Sequence, residues 1–435
     1  MLSSAILSNH LVCGSFTGKI YKFHPGTRQC VRVVDAHNGP INSMFSIPDG
    51  SCMVSGSKDG SVIVWNSDLS VRAKYDLLRI PEVPILPQIR SVCMNAFGVV
   101  IAGTSSSDMY QLFGDKKSSR LLQAHFQGEL CGFCVHPTNP NVFATSGDDK
   151  TVRVWNCEEK KLLSIQMLDM PSQTCAFSKD GSKIVCGFGT RQSATKTPSS
   201  SSGFSKNGAY VVYESEDMTL VHEDRPSRVA ITEIQYSPSG DHIAIASGKC
   251  IYIASSLDFQ TRSVVQNHKY EVSHFDFSQD SKSLRTNTTE NELTFFSAED
   301  GKKVKSASSL KDATWSSTTC PLVWSAQGLH GDLDRVVTSV DRYGSLLASG
   351  DVQGHIRLHR FPCVNEKSES LRLKAHGSEI GTVRFNQNGN VLYSVGTKER
   401  IVCQWRVKKG KSGGSVRGMV RSGVESTKEK EEGGR

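Results

Sequence analysis

Short apolar strands alternate with polar turns along most of the chain. In residues 52–66, CMVSGSKDGSVIVWN, two apolar stretches flank a polar turn, and Val62 and Val64 alternate with Ile63 and Trp65. Since every second residue of a strand points to the same face, this alternation predicts β-strands with both faces buried. Helical periodicity is nearly absent, so the pattern predicts an all-β protein.

The same unit recurs at nearly regular intervals. It consists of an apolar strand, a Ser-Gly or Ala-Gly pair, a polar turn, and a second strand that ends in an aromatic residue. Clear copies lie at 11–23, 52–66, 99–113, 142–156, 346–361 and 391–407, with weaker ones at 183–213, 242–254 and 283–296. A period of roughly 45 residues with four short strands per unit is typical of WD-repeat β-propeller blades.

Three units carry the residues for a buried hydrogen-bond chain. A histidine can link a Ser or Thr hydroxyl to the carboxylate of the turn, and a Trp indole can donate to the hydroxyl. The sets are His37, Ser55, Asp59 and Trp65; His125, Thr145, Asp149 and Trp155; and His376, Ser394 and Trp405, with Glu399 in the turn. Because the set repeats from blade to blade, we interpret it as structural and not catalytic.

Nine units exceed the four to eight blades of an ordinary propeller. We therefore expect a tandem: the last two to three blades of a truncated N-terminal propeller in 1–123, and a C-terminal propeller in 124–407. One irregular large ring is the alternative. The first unit is expected to lack a strand before HLVCGS, and the last unit to end after its third strand. Residues 190–208 are expected to form a disordered insertion, and 408–435 a disordered basic tail.

The charge balance favours an acidic partner. The net charge is +8, and the tail contributes about half of it through eight Lys or Arg and four Glu. No apolar run is long enough to span a membrane, and the first residues lack the features of a secretory signal. Thirteen scattered cysteines indicate reduced thiols in a cytoplasmic protein.

Motifs for catalysis or metal binding are missing from the sequence. Cys131 and Cys134 form the one CxxC, but residues three apart on a strand face opposite sides of the sheet. His355 and His359 would lie about 13 Å apart on a strand, too far for one metal ion. There is no phosphate-binding loop and no nucleophile elbow. We therefore predict no enzyme activity, cofactor or metal, and no dedicated nucleic-acid site, because most aromatic residues occupy core positions.

Five stretches resemble the echinoderm microtubule-associated protein-like (EMAP-like) family. These are residues 128–156, 285–304, 312–330, 349–363 and 375–407, and they occur in the order of the family's tandem atypical propeller. The unusual Trp…Thr-Cys…Gly segment at 312–330 is similar to the one that replaces a normal blade strand in the family. Glu399 in the last turn and Leu329-His330 after Gly328 depart from the pattern.

The resemblance implies a cytoskeletal, cytoplasmic protein that binds tubulin or microtubules without catalysis. Other proteins are expected on the propeller rims, and neither a membrane nor nucleic acid is expected as a partner. The alternative is a general WD-repeat scaffold or substrate adaptor that does not bind tubulin. The sequence assigns no individual partner-binding residues.

Overall fold

The computed structural model describes residues 1–79, 87–113, 117–122, 124–190, 206–310, 313–330, 336–365 and 368–408. These residues form nine antiparallel sheets of three or four strands each, with consecutive strands as neighbours. The predicted all-β fold of WD-repeat blades is therefore confirmed. Most of the expected insertion at 190–208 and nearly all of the expected tail at 408–435 lie outside the described residues.

The chain divides into two compact units, residues 1–127 and 128–435. The first unit contains three four-stranded sheets and the short 3₁₀ helix Leu77–Arg79. Its strands are β1 Ser3–Leu7, β2 His10–Gly14, β3 Lys19–Phe23 and β4 Cys30–Asp35; β5 Ile41–Ser46, β6 Cys52–Ser57, β7 Ser61–Asn66 and β8 Val71–Asp76; β9 Ile89–Met94, β10 Val100–Thr104, β11 Met109–Phe113 and β12 Lys117–Leu122.

A strand does precede HLVCGS, so the expectation that the first sheet begins at that sequence was wrong. Strand β1 pairs with β2 from Ser3 opposite Gly14 to Leu7 opposite His10. Its apolar signal is weak because only Leu7 is fully buried. The strand is held mainly by its backbone ladder and by Ser3 Oγ, which donates to the carbonyl of Ile41 at 2.9 Å.

The second unit contains six sheets. Its strands are β13 Leu130–Val135, β14 Val142–Gly147, β15 Thr151–Asn156 and β16 Lys161–Met167; β17 Ser172–Phe177, β18 Lys183–Phe188, β19 Tyr210–Glu214 and β20 Leu220–Asp224; β21 Ile231–Tyr236, β22 His242–Ser247, β23 Cys250–Ser255 and β24 Thr261–Val265; β25 Val272–Phe277, β26 Ser283–Thr288 and β27 Leu293–Ser297; β28 Val337–Tyr343, β29 Leu346–Asp351, β30 His355–Arg360 and β31 Ser370–Lys374; β32 Ile380–Phe385, β33 Val391–Gly396 and β34 Ile401–Arg406. Two short 3₁₀ helices, Ala307–Leu310 and Trp324–His330, follow β27.

Alternating side chains pack the second sheet of the first unit against a neighbour on each side. On β7, Val62 and Val64 belong to the apolar cluster shared with the third sheet. Ile63 and Trp65 point the other way, into the cluster shared with the first sheet. Both faces of a middle sheet are therefore buried, as the strict apolar alternation predicts.

The second unit closes into a ring through its first and last sheets. The Leu130 amide donates to the Thr397 carbonyl at 2.9 Å, and the rings of Phe133 and Tyr393 lie 5.5 Å apart. The Arg400 guanidinium also donates to the Gly128 carbonyl at 3.1 Å. Closure uses side-chain packing and single hydrogen bonds, with no strand shared between the two sheets.

The innermost strands of the six sheets surround a channel of about 1000 Å³. Between β25 and β28 the channel wall is formed by the irregular segment 316–322 instead of a strand. Side chains of one inner strand bond the backbone of the next: the Phe275 amide donates to Glu233 Oε2 at 3.1 Å, and the Phe385 amide to Asp341 Oδ2 at 2.7 Å. Among the described residues, no helix has the length and apolar character needed to cross a membrane.

Candidate functional site

The first histidine–tryptophan set forms a continuous hydrogen-bond chain. Trp65 Nε1 donates to Ser55 Oγ at 2.8 Å, and His37 Nε2 lies 2.8 Å from the same oxygen. His37 Nδ1 lies 2.8 Å from Ser61 Oγ, which in turn donates to Asp59 Oδ1 at 2.7 Å. Burial opposes ionisation of Asp59, but the hydrogen bonds from His37 and Ser61 outweigh it and lower the pKa of this carboxyl.

Ser61 is a member of this set that the sequence analysis missed. It stands two residues after the turn aspartate, and Thr151 stands at the same distance after Asp149. Thr151 Oγ1 likewise donates to Asp149 Oδ1 at 2.8 Å. A hydroxyl residue two positions after the turn aspartate is thus the sequence signal that identifies this position.

In the second set, Thr145, Asp149 and Trp155 lie on the strands and turn of one sheet, and His125 precedes its first strand. Trp155 Nε1 donates to Thr145 Oγ1 at 2.7 Å, and His125 is buried. Asp149 also faces a buried cation that sequence reasoning did not find, with Arg153 Nη2 at 3.5 Å from its Oδ2. This buried ion pair adds a charged link between the turn and strand β15.

The third set accommodates glutamate in place of aspartate. His376 Nε2 lies 2.8 Å from Ser394 Oγ, and Trp405 Nε1 donates to that oxygen at 2.9 Å. His376 Nδ1 contacts a carboxylate oxygen of Glu399, whose other oxygen accepts from the Gly377 amide at 3.2 Å. The departure at Glu399 therefore preserves the carboxylate contact with the histidine.

A fourth histidine occupies a comparable position in the sheet that contains β25. His268 Nε2 lies 3.0 Å from Thr286 Oγ1, at the separation of 18 residues that also joins His37 to Ser55 and His376 to Ser394. Thr294 Oγ1 lies 2.8 Å from Thr286 Oγ1. The Thr294 hydroxyl thus supplies the hydrogen bond that a Trp indole supplies in the other sets. The 18-residue spacing identifies this residue once it is compared with the first and third sets.

Cys134 and His359 of the two sequence pairs have sulfur neighbours from outside those pairs. Cys134 Sγ lies 3.5 Å from Cys175 Sγ on the neighbouring strand, while Cys131 stands three residues away on β13. His359 Nδ1 lies 3.7 Å from the sulfur of Cys363. No group of three or more potential metal ligands occurs in the part of the chain that the structure describes.

Asp276 fixes the irregular segment in the ring. Its fully buried carboxylate accepts from Arg285 Nε at 2.9 Å and from the Thr319 and Cys320 amides at 2.9 and 3.2 Å. Ser317 Oγ also donates to it. Burial opposes its ionisation, but the positive charge of Arg285 and the hydrogen bonds outweigh this effect and lower the Asp276 pKa.

The side chain of Asn287 bonds the backbone of the next part of the segment, as the backbone of a neighbouring strand would. Its Oδ1 accepts from the Leu322 amide at 2.9 Å, and its Nδ2 donates to the Leu322 carbonyl at 3.1 Å. Together with Arg285 Nη2, which donates to the Ser317 carbonyl at 2.9 Å, this explains the Arg-Thr-Asn sequence of β26. The side chains replace a backbone ladder that the irregular segment cannot make.

A cleft of about 300 Å³ opens beside this segment, and we call it the aromatic cleft. The ring of Phe295 lies 5.9 Å from Trp315 and 5.7 Å from Trp324. The remaining walls are formed by Leu293, Thr318, Val323, Ser325, Phe361 and two arginines, Arg285 and Arg342, with Ala313 and Thr314 at one end. Trp324 is 43% exposed, which is unusual for a tryptophan in a folded domain.

Two acidic side chains in the channel wall have raised pKa values. Removal from water raises the pKa of Glu233 to about 8 and that of Asp341 to about 6, and the nearby charge of Arg384 limits both shifts. Gln235 Nε2 donates to Glu233 Oε1 at 2.7 Å. The channel wall therefore carries groups that titrate near neutral pH.

The family profile described as the echinoderm microtubule-associated protein second beta-propeller matches residues 130–407. The chain belongs to this family. A WD-domain repeat profile also matches residues 28–66. The family resemblance predicted from the sequence is thus confirmed, and the match covers the ring of the second unit and its irregular segment.

Several relatives align along most of the chain. Echinoderm microtubule-associated protein-like 2 of Homo sapiens is 26% identical over 411 residues, 91% of this chain and 59% of the relative. The 77 kDa echinoderm microtubule-associated proteins of Strongylocentrotus purpuratus and Lytechinus variegatus are 28% and 29% identical, each over 94% of this chain. The chain spans between 57% and 59% of the length of these three relatives.

Proposed function

We propose that this EMAP-like chain is a non-catalytic binding platform for tubulin or microtubules in the cytoplasmic cytoskeleton. The observation that carries the proposal is the family match over residues 130–407, in a family named for microtubule association. Relatives whose names include microtubule association align along at least 91% of the chain. Other proteins are expected to bind the propeller rims, and no membrane or nucleic-acid role is proposed.

The architecture supports recognition of a protein surface. The sheets of the second unit pack against one another around a ring, so the loops that join their strands are displayed on a rigid scaffold, as in many protein-binding folds. The net charge of +8 favours association with an acidic surface, such as that of tubulin. The histidine–tryptophan sets are engaged in hydrogen bonds between strands, which supports a structural role for them.

Co-sedimentation of the purified chain with stabilised microtubules, beside a soluble-tubulin pull-down, tests this proposal. We expect binding that weakens steeply as salt rises from ~50 to ~200 mM, because exposed charge pairs are screened over this range. An unrelated basic protein of the same net charge serves as the control for adsorption to an acidic polymer.

Two outcomes would contradict the proposal. A folded, monodisperse chain that binds neither form of tubulin would favour the general scaffold or adaptor. Binding no stronger than that of the basic control would show that charge alone accounts for the sedimentation. Circular dichroism at each salt concentration confirms that the chain is folded in the assay.

A further inference from the structure

The aromatic cleft lies beside the irregular segment 316–322, which stands in the channel wall where an inner strand would otherwise lie. Trp315 and Trp324 flank this segment, Phe295 lies on β27, and Phe361 is the residue after β30. A four-stranded sheet in this position would bury such side chains against both neighbours, as the other sheets do. Here Trp324 is instead 43% exposed, so apolar surface remains available to a ligand.

The two arginines in the cleft differ in their ion pairs with the described residues. Arg285 stacks on Trp315 at 4.7 Å, but its charge is neutralised by Asp276 at 2.9 Å. Arg342 stacks on Phe361 at 4.1 Å and donates through Nε to the Gly344 carbonyl at 3.1 Å. Arg342 is exposed, and no carboxylate of the described residues forms an ion pair with it.

The charge of the cleft discriminates between ligand classes. Four aromatic rings could form a cage for a cation, but two arginines among the lining residues repel one. Single-stranded nucleic acid needs a basic groove that follows its backbone, whereas Arg342 is the one cleft cation without an ion pair to a carboxylate of the described residues. An anion attached to an aromatic or large apolar group fits both the arginine and the rings.

We propose that the aromatic cleft binds an acidic peptide segment in which a carboxylate flanks an aromatic side chain. The aromatic side chain packs against Trp324 and Trp315, and the carboxylate pairs with the guanidinium of Arg342, which Phe361 holds in place. A planar guanidinium with free N–H groups suits a carboxylate geometrically as well as electrostatically. The proposal concerns this cleft and does not depend on tubulin as the ligand.

Fluorescence anisotropy of the full chain with a labelled Gly-Glu-Phe-Glu-Gly peptide tests the site. The comparison peptides replace both glutamates by Gln or the Phe by Ala, and a short oligothymidylate tests nucleic acid. We expect the acidic aromatic peptide to bind at least tenfold more tightly than either comparison peptide. Quenching of tryptophan fluorescence on binding, lost in Trp324→Leu, would place the peptide in the cleft.

Arg342→Gln and Arg360→Gln form a matched pair for the electrostatic contact. Both remove one positive charge from an exposed arginine, but Arg360 at the end of β30 does not line the cleft. We expect Arg342→Gln to bind the Glu and Gln peptides equally, while Arg360→Gln keeps the tenfold preference. Thermal melting verifies that both variants are folded.

The proposal is overturned if Arg342→Gln retains the preference for the acidic peptide, or if the wild-type chain shows none. Tighter binding of the oligothymidylate than of the peptide would also overturn it, in favour of a nucleic-acid site. Tubulin is absent from the peptide assay. A chain that fails to bind microtubules can therefore still bind the acidic peptide, so the two proposals are tested independently.

Discussion

At the scale of single residues, one hydroxyl group connects the histidine and tryptophan of the first and third sets. Ser55 Oγ accepts the indole N–H of Trp65 and lies within hydrogen-bond distance of His37, and all three side chains are buried. Removing the hydroxyl would leave two buried ring nitrogens without this partner. A buried polar group that loses its partner costs more than the hydrogen bond itself contributes.

Replacing Ser55 by Ala should therefore lower the free energy of unfolding by roughly 1–3 kcal/mol. The control is Ser51→Ala in the turn before the same strand, where the side chain is exposed and a change within about 0.5 kcal/mol is expected. Urea unfolding followed by tryptophan fluorescence measures both. Equal stabilities of the two variants would contradict the role assigned to Ser55.

At the scale of elements, the sheet of β25–β27 and the irregular segment stabilise each other. The buried Asp276 carboxylate bonds Arg285 of its own sheet and three residues of the segment, Ser317, Thr319 and Cys320. Breaking a buried ion pair leaves an uncompensated charge in the interior. Loss of the Asp276 carboxylate should therefore loosen the segment as well as destabilise the sheet.

Asp276→Asn should destabilise the second unit by roughly 3–5 kcal/mol, because Arg285 would lose its counter-charge. The fully buried Cys320 thiol reports on the segment itself. We expect it to react with a thiol reagent much faster in Asp276→Asn than in the exposed control Asp241→Asn, as measured by peptide mass spectrometry. Equal labelling rates would show that the segment is held by other contacts.

At the scale of the whole second unit, the closed ring places acidic groups around a shared channel. Glu233 and Asp341 bond the backbone of the next inner strand, and Arg384 lies near both. The pKa of Glu233 is raised from 4.5 to about 8 in the folded protein. Between these pH values the folded state holds a proton that the unfolded chain releases, so stability falls as pH rises.

Glu233→Gln should reduce the fall in the free energy of unfolding between about pH 6.5 and 8. A single titrating proton accounts for a slope of at most about 1.4 kcal/mol per pH unit. Below this pH range Asp341, with a pKa raised to about 6, also makes the free energy of unfolding fall as the pH rises. Glu216→Gln, at an exposed position, is the control and should keep the wild-type slope. Denaturant unfolding at several pH values measures the difference, and identical slopes would exclude a titrating Glu233.

Much of the fold and part of the candidate site were predictable from the sequence. The alternation at Val62–Trp65 indicates a strand with two buried faces, and the nine repeats correspond to nine sheets. Strand β1 escaped detection because its Ser-rich sequence buries only Leu7 completely. Ser61 and His268 were not predicted from the sequence. Ser61 lies two residues after the turn aspartate and His268 lies 18 residues before its hydroxyl partner, and these spacings become meaningful only when they are compared with the first sets.

The sequence by itself determined the strands, the blade period and the family, because these depend on local alternation and on residues close together in the chain. Only the tertiary structure decided how the second unit closes and what the irregular segment creates. Asp276 and Thr319 are 43 residues apart, and Leu130 and Thr397 meet across nearly the whole unit. Such contacts are set by the packing of complete sheets, so no local pattern encodes the aromatic cleft or the exposed charge of Arg342.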